Sequence, residues 1–194
     1  MNLFEKKIRA ALDLMVSRRG LLAGGLITMA SSLMPRKAFS TVKELLLPEK
    51  SLFFYNTYTG ETLNADYWSN GQYITDVLNE INHIFRDHLT ETIEVIDTNL
   101  LDLLFALREK LKITGPFHII SGYRTPQTNA RLRKHKRGVA KNSLHMFGQA
   151  VDIRVPGFST KALRLAAIDL KGGGVGYYPR AGFVHLDVGE VRYW

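Results

Sequence analysis

His145, Asp152 and His185 are the residues of this sequence whose types and spacing best suit chemistry. The stretch from Ala150 to Val155 alternates: Val151, Ile153 and Val155 fall on one face, and Ala150, Asp152 and Arg154 on the other. Phe183 to Val188 repeats the pattern, with Val184, Leu186 and Val188 on an apolar face and His185 and Asp187 opposite. If these two strands pair, His185 comes near Asp152, and His145 reaches over from the loop just upstream. Taken singly, His145 reads as a loop histidine and Asp152 as a strand-end ion pair with Arg154. Taken together, two imidazoles and a carboxylate form a ligand set suited to zinc (Zn2+). Three protein ligands leave a fourth position for water, and the chemistry implied is hydrolysis of an amide.

Other residues cluster around this set. Phe117-His118-Ile119-Ile120-Ser121 reads as a short strand, followed by Gly122-Tyr123-Arg124-Thr125-Pro126. Thr125 suits an N-cap and Pro126 the first helical position. Arg124 then sits at a strand-to-helix corner, where it either projects into a cleft or pairs on the surface. Asp187 shares a strand face with His185. Tyr177 and Tyr178 either line a groove for an extended peptide or divide, one packed and one exposed. Ser143 holds the His145 loop, binds substrate, or serves as a turn hydroxyl. Gly172-Gly173-Gly174 marks a flexible or tight turn into the next strand. His118 reads as core or as a neighbour of the site, and His83 and His88 as surface or partly buried histidines.

The elements that must carry these residues are also legible. Leu52–Tyr58 and Glu61–Leu63 read as a hairpin around Thr59-Gly60. Ile74, Val77, Leu78, Ile81 and Ile84 form a helical stripe. Asp97-Thr98-Asn99 caps a second helix with a broad leucine face from Leu100 to Leu107, ending before Gly115-Pro116. The fold class expected is α+β: a small antiparallel sheet carrying the metal, with helices packed on one side.

Composition narrows the function. The 194 residues are 45% hydrophobic and 23% charged, which fits a globular chain. With no cysteine, disulfide scaffolds, thiol nucleophiles and iron–sulfur clusters are excluded. The net charge is +8, but the first forty residues hold seven Lys/Arg against two Asp/Glu, so +5 of it lies there. That segment reads Ser17-Arg18-Arg19-Gly20-Leu21-Leu22, then an uncharged stretch to Met34, then Ala38-Phe39-Ser40 as a cleavage site. It resembles a twin-arginine export signal, which delivers a folded protein to the bacterial envelope, here the periplasm. No apolar run reaches the 18 or so residues of a spanning helix, so no transmembrane domain is expected once the signal is cleaved; uncleaved, the segment would be an anchor. The basic run Arg131 to Lys141 lacks the interleaved aromatics of a nucleic-acid binder and reads as a solvated loop and helix end. The organisation expected is an export signal over 1–40, a linker over 41–50 and one domain over 51–194.

Ser143-x-His145-x-x-Gly148-x-Ala150-x-Asp152 with a later His185 resembles the zinc peptidases of the M15 family, grouped with peptidoglycan hydrolases of the LAS type. The likeness extends to the YcbK-like group of murein endopeptidases through Ser121–Pro126, Thr59-Gly60-Glu61, Gly174–Pro179, Phe183–Asp187, Arg192 and Trp194. It implies that His145, Asp152 and His185 ligate zinc and that Arg124 stabilises a substrate carbonyl oxygen or carboxylate. Family dipeptidases carry a catalytic Glu where this chain has Gly182, and other members a histidine where it has Phe183. Asp187 is the substitute expected, either as a proton acceptor or as the partner that orients a ligand. The implied function is zinc-dependent cleavage of peptidoglycan stem or cross-link peptides by an endopeptidase. The alternatives are a D,D- or L,D-carboxypeptidase and a non-catalytic wall-binding module. No nucleic-acid partner is expected.

Overall fold

A computed structural model describes residues 49–135 and 138–194. The export signal and nearly all of the linker expected over 41–50 lie outside the described residues, as do Lys136 and Arg137 of the basic run.

Alternation organises the sheet. In β1 (Lys50–Asn56) Leu52 and Phe54 point into the core, and Phe53 between them points out. β2 (Thr62–Ser69) pairs antiparallel with β1 and leads into β3 (Gln72–Tyr73). Two helices follow, α1 (Thr75–Ile84) and α2 (Thr98–Leu111), then β4 (Phe117–Ser121) and α3 (Pro126–His135). A 3-10 turn (Leu144–Phe147) opens into β5 (Ala150–Arg154), and α4 (Thr160–Leu170) precedes β6 (Gly174–Tyr178), β7 (Phe183–Asp187) and β8 (Arg192–Tyr193). The sheet order is β3-β2-β1-β4-β5-β7-β6-β8, parallel at β1–β4 and β6–β8 and antiparallel elsewhere.

The α+β class stands, but a sheet of eight strands among the described residues is not the small one expected. The shortfall has a physical source. In β2 buried Ala65 and Tyr67 alternate with exposed Asn64 and Asp66, a periodicity of two that a small and a hydroxylated residue disguise. β3 and β8 are two-residue strands with no apolar pattern to announce them.

Side-chain caps start α2 and α4: Asp97 accepts from the Asn99 amide for α2, and Ser159 from the Ala162 amide for α4. α1 packs on β2, α2 on β1 and α4, and α4 on β6 and β7. Ile81, Leu104 and Leu163 from these helices share one core with Phe54, Ile119, Ile153 and Leu186 from the strands. α3 is different. Thr128, Arg131 and Leu132 on it border a cleft instead. The loop after α1 is clasped to the corner before α3, where Tyr123 donates its amide to the Phe85 carbonyl at 2.7 Å. Asp87, fully buried, accepts at 2.8 Å from both the amide and the hydroxyl of Thr125. Thr125 in turn caps α3 by accepting from the Thr128 amide.

Candidate metal centre

β5 and β7 pair antiparallel with Asp152 opposite His185, so both side chains leave the same face of the sheet. His145 arrives from the 3-10 turn, which ends at Gly148 with φ +64°. The turn is pinned on both flanks: the Arg124 amide donates to the His145 carbonyl at 3.1 Å, and Asp97 donates its amide to the Gly148 carbonyl at 3.0 Å. A Cβ at Gly148 would stand 2.0 Å from the Val95 carbonyl oxygen, in addition to the left-handed backbone. Gly148→Ala should therefore lower stability by at least about 2 kcal/mol, read as a drop in thermal midpoint; an unchanged midpoint would contradict it.

Three donor atoms converge. His145 Nε2 lies 3.1 Å from His185 Nδ1 and 3.3 Å from Asp152 Oδ1, and His185 Nδ1 lies 2.9 Å from the same oxygen. Ligands about 2.0–2.1 Å from a tetrahedral zinc are separated by roughly 3.3 Å, so the triangle matches such an ion within a few tenths of an ångström. The far side of each ring sets its tautomer. His145 Nδ1 lies 2.7 Å from the Gly122 carbonyl oxygen and donates to it, leaving Nε2 a lone pair. His185 Nε2 lies 3.0 Å from Asp187 Oδ2 and donates to it, leaving Nδ1 a lone pair. Both lone pairs are thereby aimed at one point, as metal ligation requires. The donor set fits zinc.

Arg124 completes the group. Its Nη2 donates to Asp152 Oδ2 at 2.5 Å and lies 3.0 Å from His145 Nε2, and its Nε donates to Ser121 Oγ at 2.7 Å. Asp152 thus keeps one oxygen for a metal and has the other engaged. Burial alone would raise its carboxyl, but His145, His185 and Arg124 hold it well below the usual carboxylate range. Burial lowers His145 to about 4, so the ring is neutral at pH 7. Burial opposes a proton on His185, but without a metal the two carboxylates that flank it raise its pKa, so a metal at Nδ1 would displace that proton.

Asp187 is fully buried and saturated. Oδ1 accepts from the amides of Gly174 (3.0 Å) and Gly189 (2.9 Å) and from Arg192 Nη1, while Oδ2 accepts from His185 and Arg192 Nη2. Desolvation pushes its carboxyl up, yet these donors hold it at about 2. The glycine run has its explanation here. A Cβ on Gly174 would lie 2.5 Å from Asp187 Oδ2, so β6 needs a residue without a side chain beside the carboxylate. Asp187→Asn should weaken zinc binding by about 10–100-fold through the lost orientation of His185. Competition with a chromogenic chelator, on protein whose circular dichroism is unchanged, checks this; equal affinity would refute it.

The group opens onto a cleft of about 590 Å³ lined also by Ser143. Ser143 is buried, and its carbonyl accepts from the Met146 amide in the turn that carries His145. Tyr177, expected in a substrate groove, is not among the cleft-lining residues: its ring lies under the Arg164 guanidinium on α4. Register explains why. Gly176 pairs with His185 and Tyr178 with Phe183, so Tyr178 shares the metal face and Tyr177 the helix face. Tyr178 stacks on Phe183 at 4.6 Å and accepts at 3.0 Å from the indole of Trp194, whose ring lies 5.4 Å from His185. Gly182, with φ +73°, lies in the turn before β7, so neither family position for a base carries a titratable group. His118 packs against Tyr55, the rings 4.8 Å apart and tilted by 55°, and is not among the residues lining the cleft.

Sequence reasoning missed Tyr58 and His88, which line the cleft as a parallel stack at 4.0 Å. It also missed Asp87. Its partner, the N-cap Thr125, lies 38 positions further along the chain, and no local pattern signals the pairing.

A buried His–Asp–His group at an open cleft, with a guanidinium beside it, is the site type of metal-dependent hydrolases. The model of the peptidase family described as "Peptidoglycan L,D-endopeptidase MepK" matches residues 47–194, and the chain belongs to that M15 family. Peptidoglycan L,D-endopeptidase MepK of Escherichia coli (strain K12) is 41% identical over 179 residues, covering 92% of this chain and 97% of the relative. The protein of the same name from Shigella flexneri gives the same figures. "Probable peptidoglycan L,D-endopeptidase MepK" of Haemophilus influenzae is 34% identical over 179 residues, covering 91% and 94%. No solved structure matches the chain.

Proposed function

We propose that this chain is a zinc-dependent endopeptidase that hydrolyses L,D peptide bonds in peptidoglycan cross-links. The observation that carries the reading is the aim of the site: His145, Asp152 and His185 present three donors to one point, with both histidine tautomers set from behind. The relatives' printed activity supplies the substrate class. Zinc held there would supply Lewis acidity, polarising the scissile carbonyl and lowering the pKa of water.

The chain's own residues do the rest. Arg124 is held by Ser121 and Asp152, and among the described residues its Nη1 has no protein acceptor, so this nitrogen is the donor for the substrate carbonyl oxygen as charge develops on it. Asp187 acts as a positioning residue for His185 rather than as a proton acceptor, because every oxygen position on it is engaged by protein donors. Ser143 holds the turn of His145, and the Tyr178–Phe183 stack supplies apolar contact for a peptide.

Residues 1–40 direct the domain to the envelope by the twin-arginine route, which brings it to its substrate; a reporter fused after Ser40 that stays in the cytoplasm would count against that. No helix among the described residues is long and apolar enough to cross a membrane.

Digestion of purified sacculi and isolated cross-linked muropeptides by the zinc-loaded protein, with products read by mass, tests the activity. Dimers should become monomers through cleavage of the L,D cross-bridge. Loss of only a terminal residue would make the protein a carboxypeptidase, and binding without any product would make it a wall-binding module.

A further inference from the structure

The cleft has a second built surface away from the metal ligands. Tyr58, at the tip of the β1–β2 hairpin, is 60% exposed, yet the chain holds it in place. The buried Asn56 side chain donates to the Ile84 carbonyl and accepts from the amides of Tyr58 and Thr59. Thr57 donates both its amide and its hydroxyl to the Ile119 carbonyl. The ring is laid parallel on His88, 4.0 Å away and 9° from coplanar. His88 is fixed by Asp87, whose carboxylate accepts from the Leu89 amide and whose own amide donates to Thr92. Two buried polar side chains thus preorganise an aromatic platform that the core does not need.

A cation shares the cleft. Arg131 on α3 lines it together with Tyr58 and His88. Among the described residues no carboxylate pairs with Arg131, whereas Arg86 nearby in sequence to His88 is engaged by Glu61 and Glu91. A flat ring surface and an uncompensated guanidinium in one cleft select a ligand with a short aliphatic segment and an anion.

We infer that Tyr58, His88 and Arg131 form a subsite for a stem-peptide residue that carries a free carboxylate on a short aliphatic chain. The stacked rings cover the methylene groups, and Arg131 pairs with the carboxylate. The assignment deepens the endopeptidase reading and rests on it. Two residues of a stem peptide offer this chemistry, a glutamyl residue and a diamino dicarboxylic acid, and the test separates them.

The test compares three cross-linked dimers: unmodified, amidated at the glutamyl carboxylate, and amidated at the diamino acid carboxylate. Each is used for steady-state cleavage and for equilibrium binding, with the zinc-loaded full chain and its Tyr58→Ala, Tyr58→Phe, Arg131→Gln and Lys134→Gln variants. Tyr58→Ala and Arg131→Gln should each raise KM about tenfold while kcat stays within about twofold, as loss of a remote charge-assisted or stacking contact does. Tyr58→Phe should behave as wild type, because the ring is what stacks. Lys134, on α3 but not among the cleft-lining residues, should be replaceable without effect. One amidated dimer should bind about tenfold more weakly to wild type and equally well to Arg131→Gln, and which one it is names the residue recognised. Unchanged KM in both variants, an equal effect of Lys134→Gln, or a preference that survives Arg131→Gln would overturn the subsite. If wild type cleaves no dimer, the endopeptidase reading fails; the binding preference and its loss in Arg131→Gln then still support the subsite, and absent binding overturns it.

Discussion

Removing the metal with a chelator should reduce cleavage of cross-linked dimers by about three orders of magnitude, and added zinc should restore it. A Lewis acid contributes several kcal/mol at the reacting carbonyl, and each 1.36 kcal/mol is about tenfold. Asp152→Asn should give a loss of the same size that zinc at the wild-type concentration does not repair. Asp152 Oδ1 stands within 3.3 Å of both imidazole donors, so a neutral amide there removes the only negative charge from the ligand triangle. It also leaves the Arg124 guanidinium, only 9% exposed, beside a group that no longer balances it. Some destabilisation follows from that, so cleavage is to be read on protein shown to be folded by circular dichroism. Full activity in the presence of chelator, or an active Asp152→Asn protein, would remove zinc from the mechanism.

Arg124→Lys should lower kcat by about 10²–10³ with little change in KM, the range seen when one donor to a developing oxyanion is lost. A lysine is not a smaller arginine here. The guanidinium spans from Ser121 Oγ to Asp152 Oδ2 through two of its nitrogens, which fixes its plane and leaves the third for substrate. One ammonium cannot make both anchoring contacts and still present a donor in a set direction. Metal content separates this effect from damage to the ligands: zinc should remain stoichiometric in Arg124→Lys while turnover falls. A variant that keeps wild-type kcat would confine Arg124 to holding Asp152.

The metal group was legible in the sequence because each strand declares its two faces. Val151 and Ile153 mark the inner face of β5 and so assign Asp152 to the outer; Val184 and Leu186 do the same for His185. Alternation does not carry across a turn. The phase of β6 depends on how many residues the turn before β7 consumes, and that choice puts Tyr178 rather than Tyr177 on the metal face. His145 was legible by spacing, whereas the turn that presents it, clasped through Gly122, Arg124 and Gly148, is built from backbone groups that no residue type announces. The Tyr58–His88 stack joins a hairpin tip to a loop thirty residues on, and Asp87 caps Thr125 across 38 positions, so both need the folded chain to be seen.

The two histidines are oriented by supports of different kinds, and this divides the site into a part open to variation and a part closed to it. His185 leans on a side chain, Asp187, which a single codon change can replace. His145 leans on the carbonyl of Gly122, a main-chain atom present whatever residue occupies the position. Laboratory selection for a different metal or a different affinity should therefore accumulate substitutions at and around Asp187, including its side-chain partner Arg192, and leave the His145 support unaltered.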